Sequence, residues 1–354
     1  TQACPPQCAP GGMAVVATCR QCCAEGCRYH GRHGARSCRG CEDAARHQIS
    51  LGRVPRCAQC GRRDAGGRVD ERQTRQFYCA ACWAQYDGDR LVEYFDSPAE
   101  LESKCVALAR MMRSARHIVA FTGAGVSTGV GVPDFRSGRN TVLPTGPGLW
   151  ELPKADRPPS NLLELCAKAT PGRSHRVMHN LWKAGVLKHV ISQNVDGLHR
   201  KSGIPAEALS ELHGNIFVER CTRCGAEFER DFNTICPGGL TGRSCERAGC
   251  AGPLRHSGVG FGDDLPQHVV TRAWDECGRA DLCLALGSSI MVTPASEMPA
   301  WVAERWRGTV GRGLVIVNLQ ATPCDGDAEL RINGFVDDVL ERVQALLSDR
   351  VEQA

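Results

Sequence analysis

No apolar run in the 354 residues approaches the ~20 needed to cross a bilayer as a helix, so no membrane-spanning helix is expected. Residues 1–18 lack both a basic segment and a long apolar stretch, so no secretory signal is expected either. Aliphatic residues are scarce through residues 1–96. Such a segment buries little core, and bound metal must supply its stability. The first 90 residues also contain no lysine, although they hold 14 arginines against 8 acidic residues, a balance of +6. The remaining residues carry 29 basic and 31 acidic groups, a balance of −2. A basic arm on a near-neutral body points to an acidic partner such as nucleic acid or chromatin; a solvated arginine-rich surface on a small metal module is the other reading.

Cysteine is abundant, with 22 residues. Most fall in closely spaced pairs, which favours zinc in a reducing compartment over a disulfide scaffold. In the arm, Cys19/Cys22 pair with Cys38/Cys41, with Cys23, Cys27 and nearby histidines competing for the same ion. Cys57/Cys60 pair with Cys79/Cys82 across an 18-residue spacer, and Phe77-Tyr78 supplies a small aromatic core. Further on, Cys221/Cys224 and Cys245/Cys250 stand 20 residues apart, the spacing of a closed four-thiolate zinc site, with Cys236 as rival ligand.

After residue 96 the pattern changes. Ser97-Pro-Ala-Glu100 spells a capped helix start, followed by Leu101, Cys105, Leu108 and Met112 at helical spacing. Cys105 lies on that stripe and reads as core. Apolar runs at His117–Phe121, Lys188–Ser192, Leu282–Leu286 and Leu314–Val317 have the character of buried parallel strands. Helical patterns lie between them, and a final helix over Phe335–Leu347 has Val336, Val339, Leu340 and Val343 on one face. This alternation predicts a doubly wound α/β, Rossmann-like domain over 97–347. A small zinc-binding domain is expected within it at about 219–256, with a cysteine-rich zinc module before it (1–96) and a short tail after it (348–354).

The run Thr122-Gly-Ala-Gly-Val-Ser-Thr-Gly129 follows the first strand, where a nucleotide-binding domain places its glycine turn. It is not the dinucleotide fingerprint, since Thr128 stands where the third glycine belongs. The continuation Val132-Pro-Asp-Phe-Arg-Ser137 makes the stretch specific. Together with Ser192-Gln-Asn-Val-Asp-Gly-Leu-His199, Leu212-His-Gly214, Gly287-Ser-Ser289 and Val317-Asn-Leu-Gln320, it closely resembles the sirtuin family of NAD-dependent protein deacylases. The resemblance covers about residues 100–347. The segments around Phe228-Glu-Arg-Asp231 and Thr241–Cys245 look most like the class IV, chromatin-acting branch.

That resemblance implies NAD as cofactor, Zn²⁺, acyl-lysine proteins such as histones as substrates, and a nuclear or otherwise cytoplasmic rather than secreted protein. It also implies the roles of single residues. The acyl oxygen attacks C1′ of the nicotinamide ribose, nicotinamide leaves, and His213 deprotonates a ribose hydroxyl that attacks the resulting adduct. A lone histidine is more often structural, and its setting in Glu211-Leu-His-Gly-Asn215 makes the difference. Gln193 falls at the ribose, with Asn194 and Asp196 in the nicotinamide pocket; an Asn-x-Asp-Gly turn capping the next helix is the alternative. Gly123, Ala124, Gly125 and Thr128 belong to the pyrophosphate turn. Asp134, Phe135 and Arg136 belong to a mobile cofactor loop with Trp150. Gly287, Ser288, Ser289, Asn318, Leu319 and Gln320 contact the adenosine end, and Val336 packs on adenine. Val259, Phe261 and Gly262 belong to the loop that adds substrate peptide as a strand. The chain departs from the family in residues 138–147, an insertion in the cofactor loop, and in His256 and Asn333. Mono-ADP-ribosyl transfer and a zinc-module adaptor with a weakly active core are the competing functions.

Overall fold

The computed structural model describes residues 91–152, 161–260 and 262–348. It also describes the backbone of two strands, Arg68–Val69 (β1) and Phe77–Tyr78 (β2), which pair antiparallel within a first unit spanning Thr1–Arg90. The proposed arm ligands Cys19, Cys22, Cys38, Cys41, Cys57, Cys60, Cys79 and Cys82 lie outside the described residues, as does Phe261.

The second unit, Leu91–Ala354, starts with the helix its sequence spells, Pro98–Ser114 (α1). Ser97 Oγ accepts from Glu100 N at 3.3 Å and Ser97 N donates to the Glu100 carboxylate at 2.9 Å, a closed capping box. Cys105 is buried with Leu108 and Met112, and burial pushes its thiol up to about 11, so it is an inert part of the core. There follow β3 (Ile118–Thr122), α2 (Asn161–Lys168), α3 (Arg173–Lys183), β4 (Leu187–Ser192), α4 (Leu198–Lys201) and β5 (Leu209–Glu211). Four short strands come next: β6 (Val218–Cys221), β7 (Glu227–Glu229), β8 (Leu240–Ser244) and β9 (Pro253–His256). The chain then forms α5 (Gln267–Arg279), β10 (Leu282–Leu286), α6 (Glu297–Arg305), β11 (Gly313–Val317), β12 (Leu330–Ile332) and α7 (Val336–Ser348).

Six strands form one parallel sheet in the order β12-β11-β10-β3-β4-β5. The two halves wind outwards from β3 and β10, which is the doubly wound arrangement of a Rossmann-like domain. Successive side chains of a strand point to opposite faces, and here both faces are covered. Ile118, Ala120, Leu282 and Leu284 face α1, α3 and α7, whereas Val119, Phe121, Cys283 and Ala285 face α5 and α6. That is why these strands read as unbroken apolar runs. The edge strands β5 and β12 have only three residues each and escaped the sequence reading.

Strands β6–β9 form a separate antiparallel sheet in the order β7-β6-β9-β8. Its core is little more than Leu254, Phe228 and Ala226 around three buried cysteines, too small to hold a sheet without a cross-link.

Candidate active site

The site begins where the sheet changes direction. The loops after β3 and β10 leave neighbouring strands towards opposite faces, and the crevice between them is where open α/β sheets take ligands. Gly125 N donates to Gly287 O at 2.9 Å. A Cβ on Gly125 would lie 2.7 Å from Gly287 Cα, and one on Gly287, at φ +56°, would lie 2.7 Å from the Gly125 backbone. A Cβ on Gly123 would likewise meet Gly287 O at 2.7 Å. These glycines therefore let two loops touch backbone to backbone, a reason the sequence alone did not show. Just beyond, Ile290 holds φ +51°, a strained conformation for a β-branched residue, with its N–H on Ser288 Oγ at 3.2 Å.

A cavity of about 880 Å³ opens over this contact, within the ~300–1,000 Å³ range of ligand pockets. Gly123, Ala124, Gly125, Thr128, Asp134, Phe135, Arg136, Trp150, Gln193, Asn194, Asp196 and His213 all line it. So do Val259, Gly262, Gly287, Ser288, Ser289, Asn318, Leu319, Gln320 and Val336. Residues 200 positions apart in sequence thus share one wall.

The end of β4 supplies the floor. Gln193 Nε2 crosses the crevice to Ser288 Oγ at 2.8 Å, and Asn194 Nδ2 donates to Gly123 O at 3.0 Å. Asp196 is 4% exposed; one carboxylate oxygen accepts from Ser127 Oγ at 2.7 Å and the other from Leu198 N at 2.9 Å. One oxygen of Asp196 thus closes a turn onto the first residue of α4, whose N-cap Gly197 receives no side-chain cap, while Ser127 holds the other against the glycine turn. Ser127 carries no signal of its own in the sequence.

His213 follows β5. Its Nδ1 lies 2.8 Å from Gln193 O, and a carbonyl only accepts, so Nδ1 carries the proton and Nε2 keeps its lone pair. Burial holds its pKa below the ordinary histidine value, opposed by the bond to Gln193, so the ring is neutral at pH 7. Gly214, at φ +74°, permits the next turn: a Cβ there would lie 1.9 Å from Ser257 O. Val259 N donates to His213 O at 3.0 Å, and Ser257 Oγ bridges Asn215 N and O at 3.0 and 2.8 Å. The chain leaving β9 is in this way sewn to the histidine.

Behind the histidine lies a charge cluster that sequence reasoning missed. Arg200 reaches Glu211 at 2.7 Å, Glu229 at 2.9 Å and Glu227 at 2.9 Å, tying α4 to β5 and β7. Glu211 is buried, and burial pushes its carboxyl up to about 7 against the pull of Arg200. Its other oxygen accepts from Asn215 Nδ2 at 2.7 Å.

The loop from Asp134 to Trp150 folds back on itself. Gly148 N, Leu149 N and Trp150 N donate to Ser137, Asp134 and Phe135 carbonyls at 2.8, 2.9 and 3.0 Å. The Trp150 ring lies 5.2 Å from Phe135 and 4.5 Å beneath the Arg136 guanidinium, whose Nη1 donates to Ser289 Oγ at 3.0 Å. Asp134 is occupied by Arg136 N and Ser137 N at 3.1 and 3.0 Å. At the far end Asn318 Nδ2 turns onto Gln320 O at 2.8 Å. The cavity therefore presents hydroxyls, amides and a guanidinium, while Asp134 and Asp196 are already engaged by protein donors. That set suits an anionic, ribose-bearing ligand.

The sulfurs of Cys221, Cys224, Cys245 and Cys250 lie within 4.8 Å of one another. Cys221–Cys250 and Cys224–Cys245 are each separated by 3.6 Å, far beyond a disulfide and close to the ~3.8 Å edge of a tetrahedron with ~2.3 Å zinc–sulfur bonds. Cys224 N and Arg223 N both approach Cys221 Sγ at 3.4 Å, as suits a thiolate. Four thiols leave no coordination position open, so the fitting ion is structural zinc. Cys236 is outside the cluster, its thiol donating to Leu240 O at 3.3 Å.

Comparison with known proteins agrees with this geometry. A family model described as "Sir2 family" matches residues 123–294. The NAD-dependent protein deacetylase of Rhodopseudomonas palustris is 35% identical over 254 residues, covering 68% of this chain and 96% of the relative. The NAD-dependent protein deacetylase Sirt6 of Drosophila melanogaster is 34% identical, covering 74% of this chain and 80% of that protein. SRT1 of Arabidopsis thaliana, another NAD-dependent protein deacetylase, is 40% identical over 269 residues, but the match takes in only 53% of its length. The chain thus spans about half the length of that relative. A crystal structure of a Sir2 homologue–NAD complex superposes with a TM-score of 0.52 at 28% identity, covering 75% of this chain and 99% of that one. The protein belongs to the Sir2 family of sirtuins.

Proposed function

We propose that this chain removes acyl groups from lysine side chains of proteins in an NAD-dependent reaction that yields nicotinamide and O-acyl-ADP-ribose. The observation that carries the reading is His213, neutral, half-buried in the cavity wall, and fixed by Gln193 O so that its basic Nε2 remains unprotonated.

Bound NAD supplies the activated ribose carbon to which the acyl oxygen is transferred. The chain's own groups do the rest. His213 Nε2 takes a proton from a ribose hydroxyl. Asn194 and Asp196 form the nicotinamide end of the pocket, Asp196 held by Ser127 and Asn194 by Gly123 O. Ser288, Ser289, Asn318 and Gln320 provide polar contacts for the adenosine end. Phe135, Arg136 and Trp150 cover the sugar and limit access of water. Residues 259–262 receive the peptide as an added strand beside His213, reading backbone more than side chains.

The cysteine-rich arm, up to about residue 90, acts in this reading as a separate zinc-binding module ahead of a catalytic region ending near 347. Its arginine-rich composition supports an acidic, chromatin-side partner, with acylated histones as substrates and residence in the nucleus. The test is mass spectrometry of the zinc-loaded protein with NAD and acyl-lysine histone peptides. NAD-dependent loss of the acyl mass, with acyl-ADP-ribose appearing and His213→Tyr silent, supports the proposal. ADP-ribose added to protein in place of acyl loss would overturn it in favour of mono-ADP-ribosyl transfer.

A further inference from the structure

Residues 91–96 run along the carboxyl ends of β11 and β12 and are fixed there by backbone. Glu93 forms an isolated bridge with Gln320, and Tyr94 N donates to Leu319 O at 3.0 Å. Asp96 N donates to Asn333 O at 2.9 Å, and its carboxylate accepts from Asn333 N, Asn333 Nδ2 and Lys104 Nζ at 2.9, 3.0 and 2.6 Å. From this fixed strip the Glu93 carboxylate reaches sideways. One oxygen accepts from Thr141 Oγ1 at 2.5 Å and from Gln320 Nε2 at 3.3 Å; the other accepts from Val142 N at 2.9 Å. Gln320 Nε2 also donates to Ser137 Oγ at 3.2 Å.

Three segments distant in sequence therefore converge on one carboxylate: the strip before α1, the inserted part of the cofactor loop, and the loop after β11. Among the described residues, the hydrogen bonds that leave residues 138–147 for another segment go to Glu93. Leu143, next to the tethered pair, lines the cavity. All three groups around Glu93 are donors, so an acceptor-only ionised carboxylate is the one side chain of that length that satisfies them together.

We propose that Glu93 is a positioning residue that latches the 138–147 insertion over the nucleotide end of the cavity and so sets the affinity for NAD. The latch is a property of the free protein; its effect on NAD rests on the function proposed above. A latched loop spares the ligand the cost of ordering it, and apparent affinity falls by the fraction of molecules in which the loop is in place. Releasing the latch so that this fraction drops to about one tenth weakens NAD about tenfold.

The test compares wild type, Glu93→Ala, Glu93→Gln and Thr141→Val, all zinc-loaded. Hydrogen exchange is read on the free proteins, NAD affinity by calorimetry, and KM and kcat on an acyl-lysine peptide. Expected is faster exchange confined to about 138–150 and 318–320, with a roughly tenfold rise in NAD Kd and KM and kcat within about twofold of wild type. Thr141→Val, which leaves the 91–96 strip untouched, reproduces part of the effect and adds little to Glu93→Ala in the double variant. Unchanged exchange at 138–150 in Glu93→Ala overturns the proposal, and so does a loosened loop with unaltered NAD affinity. A wild-type protein that binds no NAD would sink the functional reading instead, while the exchange comparison still decides the latch.

Discussion

Replacing Gly287 by alanine tests the loop contact on which the cavity is built. The residue has φ +56°, and an added methyl would lie 2.7 Å from the carbonyl carbon and Cα of Gly125 and from Val126 N. None of these is the end of a flexible side chain, so a loop must move. The left-handed conformation costs an alanine ~1–2 kcal/mol. Overpacking against backbone adds ~1–3 kcal/mol, for a total of ~2–5 kcal/mol. At ~2–4 °C per kcal/mol for a domain of this size, the melting temperature of Gly287→Ala falls by roughly 4–20 °C. Because the methyl wedges apart the two loops that carry Ser288 and Gly123, NAD binding weakens as well. Gly278 is the control: it lies inside α5 with nothing within 4 Å of its would-be Cβ, so alanine there is neutral or stabilises by up to ~1 kcal/mol. Thermal melts and NAD titrations of both variants check this. A Gly287→Ala protein that melts with wild type and binds NAD equally would refute the argument.

Removing zinc or substituting Cys245→Ser unfolds the small sheet, whose remaining core is Leu254, Phe228 and Ala226, and activity is lost because residues 257–259 no longer brace His213. Circular dichroism and activity of chelated and zinc-restored protein report both effects, and full activity in zinc-free protein would contradict the coupling. Arg200→Ala leaves the buried Glu211, already pushed up to about 7, to take a proton in place of its ion pair and costs ~1–3 kcal/mol, measured by urea unfolding, whereas Arg200→Lys retains part of the interaction; no measurable cost would show that the cluster does not hold β5.

Much of this site was legible because its signals are local. A glycine turn straight after an apolar run, polar residues at the end of the next run, and cysteines in spaced pairs each announce a position within a dozen residues. What stayed hidden joins distant segments. Gly123 and Gly125 read as a ligand cradle, and their contact with Gly287, about 160 positions on, has no local signal. Arg200 carries no local signal in the sequence, although three carboxylates from β5 and β7 surround it. Asn333, a departure from the family without explanation in sequence, pairs with Asp96 through both its backbone and its amide. Strands β5 and β12 are too short for periodicity to reveal, and they gain their place from the neighbours they pair with. His256 keeps no such explanation beyond its place opposite Glu219.

The proposed reaction depends on the state of one imidazole, and nitrogen-15 NMR of that ring reads it directly. With Gln193 O accepting from Nδ1, the His213 spectrum should show a protonated Nδ1 and a bare Nε2 at pH 7. The resonances, assigned by their loss in His213→Gln, should titrate with a midpoint below the ordinary ~6.5 because burial disfavours the charged ring. A proton found on Nε2 at pH 7, or a midpoint well above pH 7, would leave the proposed base without its lone pair and contradict the mechanism.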